Sequence, residues 1–353
     1  MRDGQINILV LGVGGNVSQG ILKALSVCGL PFRVIGSCVS SRAFGLYTVD
    51  KAYISPPAND PTFLDWLLKV CEVEHVHAVL SGVEPILAVL AREAAKIRDT
   101  TGAICIVSRP ECLAIGDDKL LTCQWLQAQG FRFPRYAASE NEECVNALVR
   151  GGYPLIAKPR HGKGGHGVFT VNSDEELQAA MGRKGYVIQE YLGDASQEYT
   201  VGCFSDSEYR VGGAIVLRRE LLDGTTFRAE VGLFPAVREE AIRIAEALRP
   251  MGPCNLQMRV HRGVAVCFEI NIRFSGTTPI RTRFGFNDVE ATIRHFVLGQ
   301  PVLNLPIVTQ GIALRYWNEA YVDPQAVTEL DCRLQLDEPR RYVTKFEDYG
   351  IRQ

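Results

Sequence analysis

The first third of the chain alternates short apolar runs with amphipathic segments, and this alternation constrains the fold more than any other feature. Predicted strands cover residues 6–11, 32–36, 76–80 and 103–107, and predicted helices cover residues 18–30, 63–73 and 85–97. Strands that alternate with helices pair in parallel and carry helices on both faces of the sheet. The sequence therefore predicts an α/β domain with a doubly wound parallel sheet over residues 1–112.

A glycine-rich turn, Gly12-Val13-Gly14-Gly15-Asn16, follows the first predicted strand. It matches a dinucleotide-binding fingerprint only in part, because Val17 replaces the third glycine and Gly36-Ser37-Cys38 stands where an acid would bind a ribose hydroxyl. Arg42 nearby would suit a 2′-phosphate, so an NADP-dependent oxidoreductase stays open as an alternative. We favour the simpler interpretation, a tight strand-to-helix turn.

Composition excludes several classes of protein. The 353 residues include 38 Lys and Arg against 40 Asp and Glu, a formal net charge of -2, so no basic surface for nucleic acid or anionic membrane is expected. The longest uncharged run, residues 6–22, is interrupted by polar residues and glycines and does not predict a membrane span. The 11 cysteines include no Cys-x-x-Cys and mostly occupy apolar stretches, which favours a reducing, cytoplasmic location.

The pattern changes after Pro110. A helix is predicted over residues 111–130, and two short strands, 153–158 and 168–171, flank a glycine-rich loop. A helix at 174–181 and a strand at 186–190 complete a small mobile lobe. Further predicted elements are strands at 198–204, 210–216, 255–260 and 264–272 and a helix at 238–248. We thus expect a second domain at 113–310, with a lid at about 150–190, and an extension at 311–353 whose pattern is uninformative.

Polar and apolar side chains alternate along a late predicted strand. Glu269, Asn271 and Arg273 share one face, and the opposite face, starting from Phe268, is apolar. A solvated sheet face would also show this pattern, but a single acid among amides is unusual for a surface. Arg273 is placed to neutralise a phosphoryl group.

Gln257 lies on the preceding predicted strand. If Val260 pairs with Val264, Gln257 lies opposite Cys267 and diagonal to Glu269, on the same face. A carboxylate and side-chain amides supply the hard oxygen ligands that Mg²⁺ prefers, together with waters and substrate phosphates. The hairpin therefore predicts a magnesium site.

A lysine ends the strand before the glycine loop. Lys158, in Pro154-Leu155-Ile156-Ala157-Lys158-Pro159-Arg160, precedes backbone amides that carry little side-chain bulk, an arrangement suited to clamping a triphosphate. The P-loop motif is absent, and a segment of this kind taken alone is more often a hairpin turn with solvated charges. The phosphate-binding interpretation depends on the other motifs of the chain.

Four motifs in a fixed order resemble the ATP-grasp superfamily. They are Leu155-Ile156-Ala157-Lys158-Pro159 with the loop at 161–167, Val187-Ile188-Gln189-Glu190-Tyr191-Leu192, Glu198-Tyr199-Thr200-Val201, and Gln257 with Glu269-Ile270-Asn271-Ile272-Arg273. The chain most resembles a single ATP-grasp unit of the carbamoyl-phosphate synthetase large chain, over residues 1–300. That enzyme has two such units, so the chain differs from it. His161, His166 and Gln189 also depart from the common pattern.

The resemblance implies ATP as cofactor, with Mg²⁺ or alternatively Mn²⁺, and assigns roles by position. The residues that resemble phosphate-binding groups are Lys119, Lys158, Gly162, Gly164, Gly165 and Gly167. Glu190 and Leu192 resemble the hinge at the adenine, and Glu198 resembles the acid that holds the ribose. Gln257, Glu269 and Asn271 resemble the metal ligands. Arg273 resembles the residue that contacts the transferred phosphoryl group, and Arg273 and Lys158 are the expected catalytic residues.

The same resemblance implies an ATP-dependent carboxylate–amine ligase that forms an acyl phosphate from a small carboxylic acid and joins it to an amine. Arg281, Arg283 and Ser275 are candidates for binding the acceptor carboxylate, although solvated or ion-paired side chains would explain the two arginines equally well. Glu84 follows a predicted strand, where parallel sheets place ligands, but it could equally cap the following helix, and we favour the cap. A homodimer is a family-level expectation. A non-catalytic ATP-binding regulatory protein is the remaining alternative.

Overall fold

The N-terminal domain has the predicted doubly wound architecture. The structure, a computed structural model, describes residues 5–346 except 163, 194 and 303. The first elements are β1 (Ile6–Leu11), α1 (Asn16–Leu25), β2 (Phe32–Cys38), β3 (Lys51–Ile54), α2 (Phe63–Val73), β4 (Ala78–Ser81), α3 (Glu84–Thr101) and β5 (Ile104–Cys105). The strands pair in parallel in the order β3-β2-β1-β4-β5. Separate apolar clusters pack against the two faces, so the fold class is confirmed.

Two strands of this sheet were not predicted, β3 and the C-terminal strand Gln335–Asp337, which pairs with it. β3 is only four residues long, and its sequence, Lys51-Ala52-Tyr53-Ile54, shows neither an apolar run nor a clean alternation. Its Lys51 is buried because Asp337, far along the chain, accepts a hydrogen bond of 2.7 Å from Nζ. Tertiary pairing therefore creates a strand that local sequence does not indicate.

A small lobe follows, built on an antiparallel sheet. Its elements and the helices that lead into it are α4 (Pro110–Asp117), α5 (Lys119–Ala128), β6 (Tyr136–Ala138), α6 (Glu142–Val149), β7 (Leu155–Pro159), β8 (Phe169–Val171), α7 (Asp174–Met181) and β9 (Tyr186–Glu190). The strand order is β6-β9-β7-β8. The helix predicted at 111–130 is two helices, because Asp118 caps α5 by accepting hydrogen bonds from the Leu120 and Leu121 amides. The lobe starts at β6, before the lid boundary expected from sequence.

A larger antiparallel sheet completes the second domain. Its elements are β10 (Glu198–Ser205), β11 (Val211–Leu222), β12 (Thr225–Val231), α8 (Pro235–Leu248), β13 (Gly252–His261), β14 (Val264–Asn271), α9 (Thr278–Arg283), α10 (Asp288–Thr292) and β15 (Gly311–Leu314). The strand order is β14-β13-β10-β11-β12-β15. Helix α8 packs its apolar face on this sheet, and β12 was not predicted from sequence.

The C-terminal residues join both domains. They form β15, β16 (Ala320–Val322), α11 (Pro324–Arg333), β17 (Gln335–Asp337) and β18 (Val343–Phe346). β15 pairs with β12 at the edge of the large sheet, and β17 pairs with β3 at the edge of the parallel sheet. No helix in the part of the chain that the structure describes is long and apolar enough to cross a membrane.

The hairpin of β13 and β14 has a different register from the predicted one. Gln257 faces Glu269 directly, and Met258 faces Cys267, so a β-bulge leaves Phe268 without a cross-strand partner. The prediction that Gln257 faces Cys267 is therefore wrong. The bulge also turns Phe268 away from the apolar face, and its ring lies 5.6 Å from the Lys158 Nζ atom.

Candidate functional site

A cleft between the small lobe and the large sheet collects most of the predicted residues. We call it the inter-lobe cleft. The predicted residues that line it are Lys119, Lys158, Gly162, Gly164, Gly165, Glu190, Leu192, Glu198, Gln257 and Glu269. They come from β7, β9, β10, β13, β14, the start of α5 and the glycine loop. Gly167 lies outside it and packs tightly, since a Cβ there would come within 2.9 Å of Pro159 and of the Tyr186 hydroxyl.

Two lysines supply positive charge in the inter-lobe cleft. Lys158 is buried at the end of β7, with Nζ 3.4 Å from the Phe268 carbonyl oxygen. Burial lowers the pKa of this ammonium below its ordinary value, and the Glu269 carboxylate opposes the shift. Lys119 donates 2.8 Å to the carbonyl oxygen of Gly162, at the entry of the glycine loop. Lys119 and Lys158 therefore line the same cleft as the glycine loop.

The entry of the glycine loop is anchored to the junction of α4 and α5. Arg160 donates from Nε to the Asp118 carboxylate at 3.1 Å, and the Lys119 amide donates to the Arg160 carbonyl oxygen at 3.0 Å. Burial acts to raise the pKa of the Asp118 carboxyl, but hydrogen bonds from Arg160 and from the Leu120 amide hold it below its ordinary value. The carboxylate is thus kept charged, and the loop begins from a fixed point.

Glu198, the predicted ribose-binding acid, is held by two arginines that sequence reasoning missed. Arg219 donates from Nη2 to one carboxylate oxygen at 2.7 Å, and Arg259 donates from Nη2 to the other at 2.7 Å. Arg219 also donates to the Gln257 amide oxygen at 2.7 Å. Glu198 and Arg259 are cross-strand partners, so knowledge of the β10–β13 pairing would have found this contact.

The end of β9 forms the wall where the hinge was predicted. The Glu190 carboxylate accepts hydrogen bonds from the Arg135 backbone amide at 2.9 Å and from its Nε at 2.8 Å. Leu192 is buried, and its carbonyl oxygen lies 3.1 Å from Nδ1 of His261. Arg135 therefore binds the Glu190 carboxylate, and Glu190 and Leu192 both line the inter-lobe cleft.

The three predicted metal ligands meet at one oxygen. Gln257 and Asn271 each donate from the side-chain amide to Oε1 of Glu269, at 3.1 Å. Across the described ranges, no three His, Cys, Asp or Glu side chains cluster as metal ligands. A cation at Glu269 would consequently depend on the amide oxygens as well, and one carboxylate with two amides fits Mg²⁺ in donor chemistry.

A second cleft of about 690 Å³ adjoins the first, between α3 of the N-terminal domain and α4. We call it the α3–α4 cleft. Glu269, Lys119 and Gly162 line both clefts, whereas Asn271 and Arg273 line only the second. Helix α4 approaches β14 closely at Gly116, where a Cβ would lie 2.8 Å from Ile272. The reactive groups therefore stand at the boundary between two cavities.

Arg273 is fixed by the N-terminal domain. Its Nε donates to the Glu84 carboxylate at 2.9 Å, and its Nη1 donates to the Phe274 carbonyl oxygen at 2.9 Å. Glu84 is the first residue of α3, with Val83 in the cap position. Glu84 therefore lies in the first turn of α3 but does not occupy the cap position. Its carboxylate reaches across to the end of β14, which we call the metal strand because it carries the predicted ligands Glu269 and Asn271.

The three residues predicted to bind the acceptor carboxylate lie outside both clefts. Arg281 is fully buried and forms an ion pair with Asp288, which is equally buried. Ser275 is buried, with its hydroxyl 2.7 Å from that of Thr277, and Arg283 is exposed at the end of α9. Sequence reasoning assigned these residues from their position after the metal strand, but the turn at Ser275 leads α9 into the protein instead.

The N-terminal glycine turn is packed on its own domain. A Cβ at Gly45 would lie 2.3 Å from the Val13 carbonyl oxygen, and a Cβ at Gly14 would lie 2.9 Å from the Cys38 sulfur. Segment Phe44–Thr48, a 3₁₀ helix, thus packs against Val13 of the turn, while Gly14, Gly15 and Asn16 are exposed. The glycines serve close packing of protein on protein, which supports the interpretation as a strand-to-helix turn.

Comparison with known proteins defines the class to which this arrangement belongs. Residues 116–277 match the model of the ATP-grasp domain, so this part of the chain is an ATP-grasp domain. Residues 7–105 match the PylC-like, N-terminal domain, so the parallel sheet that precedes the ATP-grasp domain is of this kind. The predicted relationship is confirmed.

The curated relatives are carbamoyl phosphate synthase large chains. The one from Deinococcus deserti is 26% identical over 304 residues, covering 77% of this chain and 28% of the relative. The one from Neisseria meningitidis serogroup B is 25% identical over 303 residues, covering 77% and 27%. The chain therefore spans less than a third of the length of these relatives.

Solved structures share the fold at low identity. N5-carboxyaminoimidazole ribonucleotide synthetase from Thermus thermophilus has a TM-score of 0.67 at 18% identity, covering 96% of this chain and 99% of that one. The biotin carboxylase domain of Hydrogenobacter thermophilus 2-oxoglutarate carboxylase, determined with MgADP, ADP and bicarbonate, has a TM-score of 0.67 at 16% identity, covering 90% and 79%.

Proposed function

We propose that the protein is an ATP-dependent carboxylate–amine ligase. The observation that carries the proposal is that Glu269, Lys119 and Gly162 line both clefts. A phosphoryl group held at this boundary is within reach of ATP on one side and of an acceptor on the other. Phosphoryl transfer demands mainly positioning and charge neutralisation, and this boundary carries the charges that it needs.

ATP occupies the inter-lobe cleft in this proposal. The adenine lies against the end of β9 near Leu192, the ribose near Glu198, and the phosphates near Lys158, Lys119 and the glycine loop. Gln257, Glu269 and Asn271 would hold Mg²⁺, and the bound ion would supply neutralisation of phosphate charge and orientation of the terminal phosphate. Mn²⁺ is the alternative ion for the same oxygen ligands.

The reaction has two steps. A carboxylate oxygen of the acceptor attacks the γ-phosphorus, the bond from phosphorus to the β–γ bridging oxygen breaks, and ADP leaves. The nitrogen of an amine then attacks the acyl carbon, and phosphate leaves with the bonding electrons while the amine releases a proton to solvent. Lys158 and Arg273 stabilise negative charge on the transferred group, and the glycine loop excludes water from the acyl phosphate.

The comparisons support this proposal through the activities that the relatives' names state. Carbamoyl phosphate synthase, N5-carboxyaminoimidazole ribonucleotide synthetase and biotin carboxylase are the related enzymes. Small-molecule acid and amine substrates follow for this chain by analogy. A cytoplasmic location, a homodimer and the absence of nucleic-acid partners stay predictions.

The test is acid-dependent release of ADP, with hydroxylamine as a general nucleophile that converts acyl phosphates to hydroxamates. We expect hydroxamate with the correct acid, and loss of about a thousandfold or more in Glu269→Ala because the metal carboxylate is removed. Glu239→Ala, on the exposed face of α8, is the matched control. Turnover that survives in Glu269→Ala would contradict the proposal. Binding of Mg·ATP with no hydroxamate from any acid would instead favour the regulatory alternative.

A further inference from the structure

The middle of the α3–α4 cleft is lined by uncharged side chains. Pro85, Ala88 and Ala91 come from α3, and Leu113 and Ala114 come from α4. The α3 positions follow helical spacing and share one face. Pro85, Ala88 and Ala114 are exposed, so these side chains face the open cleft instead of the core. A concave cavity with apolar walls and a few polar groups at one place is typical of sites for organic ligands.

The charged groups of this cleft are separated along its length. Lys119, Glu269 and the Glu84–Arg273 pair lie at the end shared with the inter-lobe cleft, and Asp117, two residues before Lys119, adds a carboxylate to the lining. Arg92 lies two turns further along α3 and bonds to Glu93 at the surface. Eight residues of helix from Glu84 to Arg92 correspond to about 12 Å. The apolar wall therefore extends about 12 Å from the reactive end.

We infer that the acceptor is a carboxylic acid with an apolar body, bound in the α3–α4 cleft with its carboxylate at the reactive end. This inference rests on the ligase function proposed above. The carboxylate points to Arg273 and Lys119, and the body lies along Ala88, Ala91 and Ala114. Alanines at these positions leave room, whereas larger side chains would fill the space that the ligand needs.

A bicarbonate-sized acceptor fits this cavity poorly. A volume of about 690 Å³ is on the scale of an organic ligand. A small anion at the reactive end would leave the apolar wall in contact with water, and that wall would contribute nothing to binding. The cleft therefore favours an acid whose carbon chain covers the wall.

The experiment measures ADP release and hydroxamate formation with two homologous series. One series runs from acetate to decanoate. The other runs from glycine through L-norvaline and L-norleucine to L-phenylalanine. Bicarbonate is tested separately, and its turnover is measured by ADP release. We expect kcat/KM to rise about three- to fourfold for each added methylene until the chain exceeds about 12 Å. Glutarate should be a poorer substrate than pentanoate, because its second carboxylate would meet the apolar wall.

Two variants test the wall directly. Ala88→Phe and Ala114→Phe should raise KM for the longest accepted acid about tenfold or more, and should leave KM for ATP unchanged, because they fill the cleft away from the nucleotide. Ala95→Phe is the matched control, since Ala95 is exposed on the same helix outside the cleft. Circular dichroism confirms that each variant is folded.

The outcomes separate this inference from the ligase function. Turnover with bicarbonate or acetate and no gain with chain length would overturn the inference and leave the ligase function intact. Absence of turnover with every acid would count against the ligase function. In that case binding to the Mg·ATP-loaded protein decides: a thermal shift that grows with chain length and is lost in Ala88→Phe supports the inference, and the absence of any such shift overturns it.

Discussion

The Arg273 guanidinium, at the end of the metal strand, is bonded to the Glu84 carboxylate at the first residue of α3, with Nε 2.9 Å from Oε1. The Arg273 side chain is 10% exposed and that of Glu84 is 29% exposed. Solvent therefore screens the pair only in part, and the hydrogen bonds orient the guanidinium. The N-terminal domain thus positions a charge at the reactive end of the α3–α4 cleft, in addition to forming one of its walls.

Removal of this partner should affect the acceptor step more than nucleotide binding. In Glu84→Ala, Arg273 loses a charged hydrogen-bond partner, and such bonds contribute about 1.5–3 kcal/mol, so kcat/KM for the acid should fall roughly ten- to a hundredfold. KM for ATP should stay the same, because Glu84 does not line the inter-lobe cleft. Glu93→Ala, on the same helix, is the control. If Glu84→Ala changed KM for ATP as much as kcat/KM for the acid, the result would argue against a positioning role for Glu84.

Lys158 should make the stability of the ligand-free protein depend on alkaline pH. Burial lowers the pKa of this ammonium from 10.5, so between the folded-state pKa and 10.5 the unfolded chain binds more protons. Unfolding free energy must therefore rise with pH across this window. We expect Lys158→Met to be more stable than wild type at neutral pH, and the difference to shrink as pH rises through the folded-state pKa. Urea denaturation of both proteins at several pH values measures this difference in unfolding free energy. A difference that does not change with pH would contradict the expected protonation of Lys158.

The metal strand shows what sequence can predict and where prediction ends. Alternation placed Glu269 and Asn271 on one face, and the structure brings the side-chain amides of Asn271 and Gln257 to Glu269. The bulge at Phe268 was not predictable, because an extra residue in one strand is a property of pairing and leaves the local pattern unchanged.

Arg219 and Arg281 show a second limit of prediction from a single sequence. Arg219 was missed because its partners, Glu198 and Gln257, lie on strands that meet β11 only in the tertiary fold. Arg281 was assigned to a substrate because it follows the strand that carries Glu269 and Asn271, but here Asp288 compensates its charge inside the protein. Partners distant in sequence decide both cases, and a single sequence does not contain them.

The packed glycine turn makes a clear prediction about dinucleotides. Since Gly14 and Gly45 serve close packing against Cys38 and Val13, NADPH should produce no thermal shift, whereas Mg·ATP should produce a shift of several degrees by stabilising the folded state. Differential scanning fluorimetry with both ligands, and with ADP as a further comparison, measures this. A saturable shift with NADPH would revive the oxidoreductase alternative.

The buried Arg281–Asp288 pair should matter for stability and leave substrate selectivity unaffected. Arg281→Met leaves Asp288 buried without its cation, and breaking a buried pair in this way costs about 3–5 kcal/mol. The double variant with Asp288→Leu should recover much of the loss, because neither charge remains. Denaturant unfolding measures the stabilities, and steady-state kinetics on the folded fraction should give an unchanged KM for the acid. A selective increase of that KM would restore the substrate role inferred from sequence.

Arg219 should be a determinant of nucleotide binding. Its guanidinium connects Glu198, the expected ribose ligand, to Gln257, the expected metal ligand, at 2.7 Å on each side. Arg219→Met removes both contacts at once, so KM for Mg·ATP should rise roughly ten- to a hundredfold, as expected for hydrogen bonds to charged groups. Arg219→Lys should recover only part of this loss, because an ammonium cannot reproduce the planar fork that meets both partners. Arg218→Met is the matched control, since Arg218 is the preceding residue, points to the other face of β11 and pairs with Glu230. An Arg219→Met protein that binds Mg·ATP as tightly as the Arg218→Met control would show that Glu198 and Gln257 are positioned without Arg219.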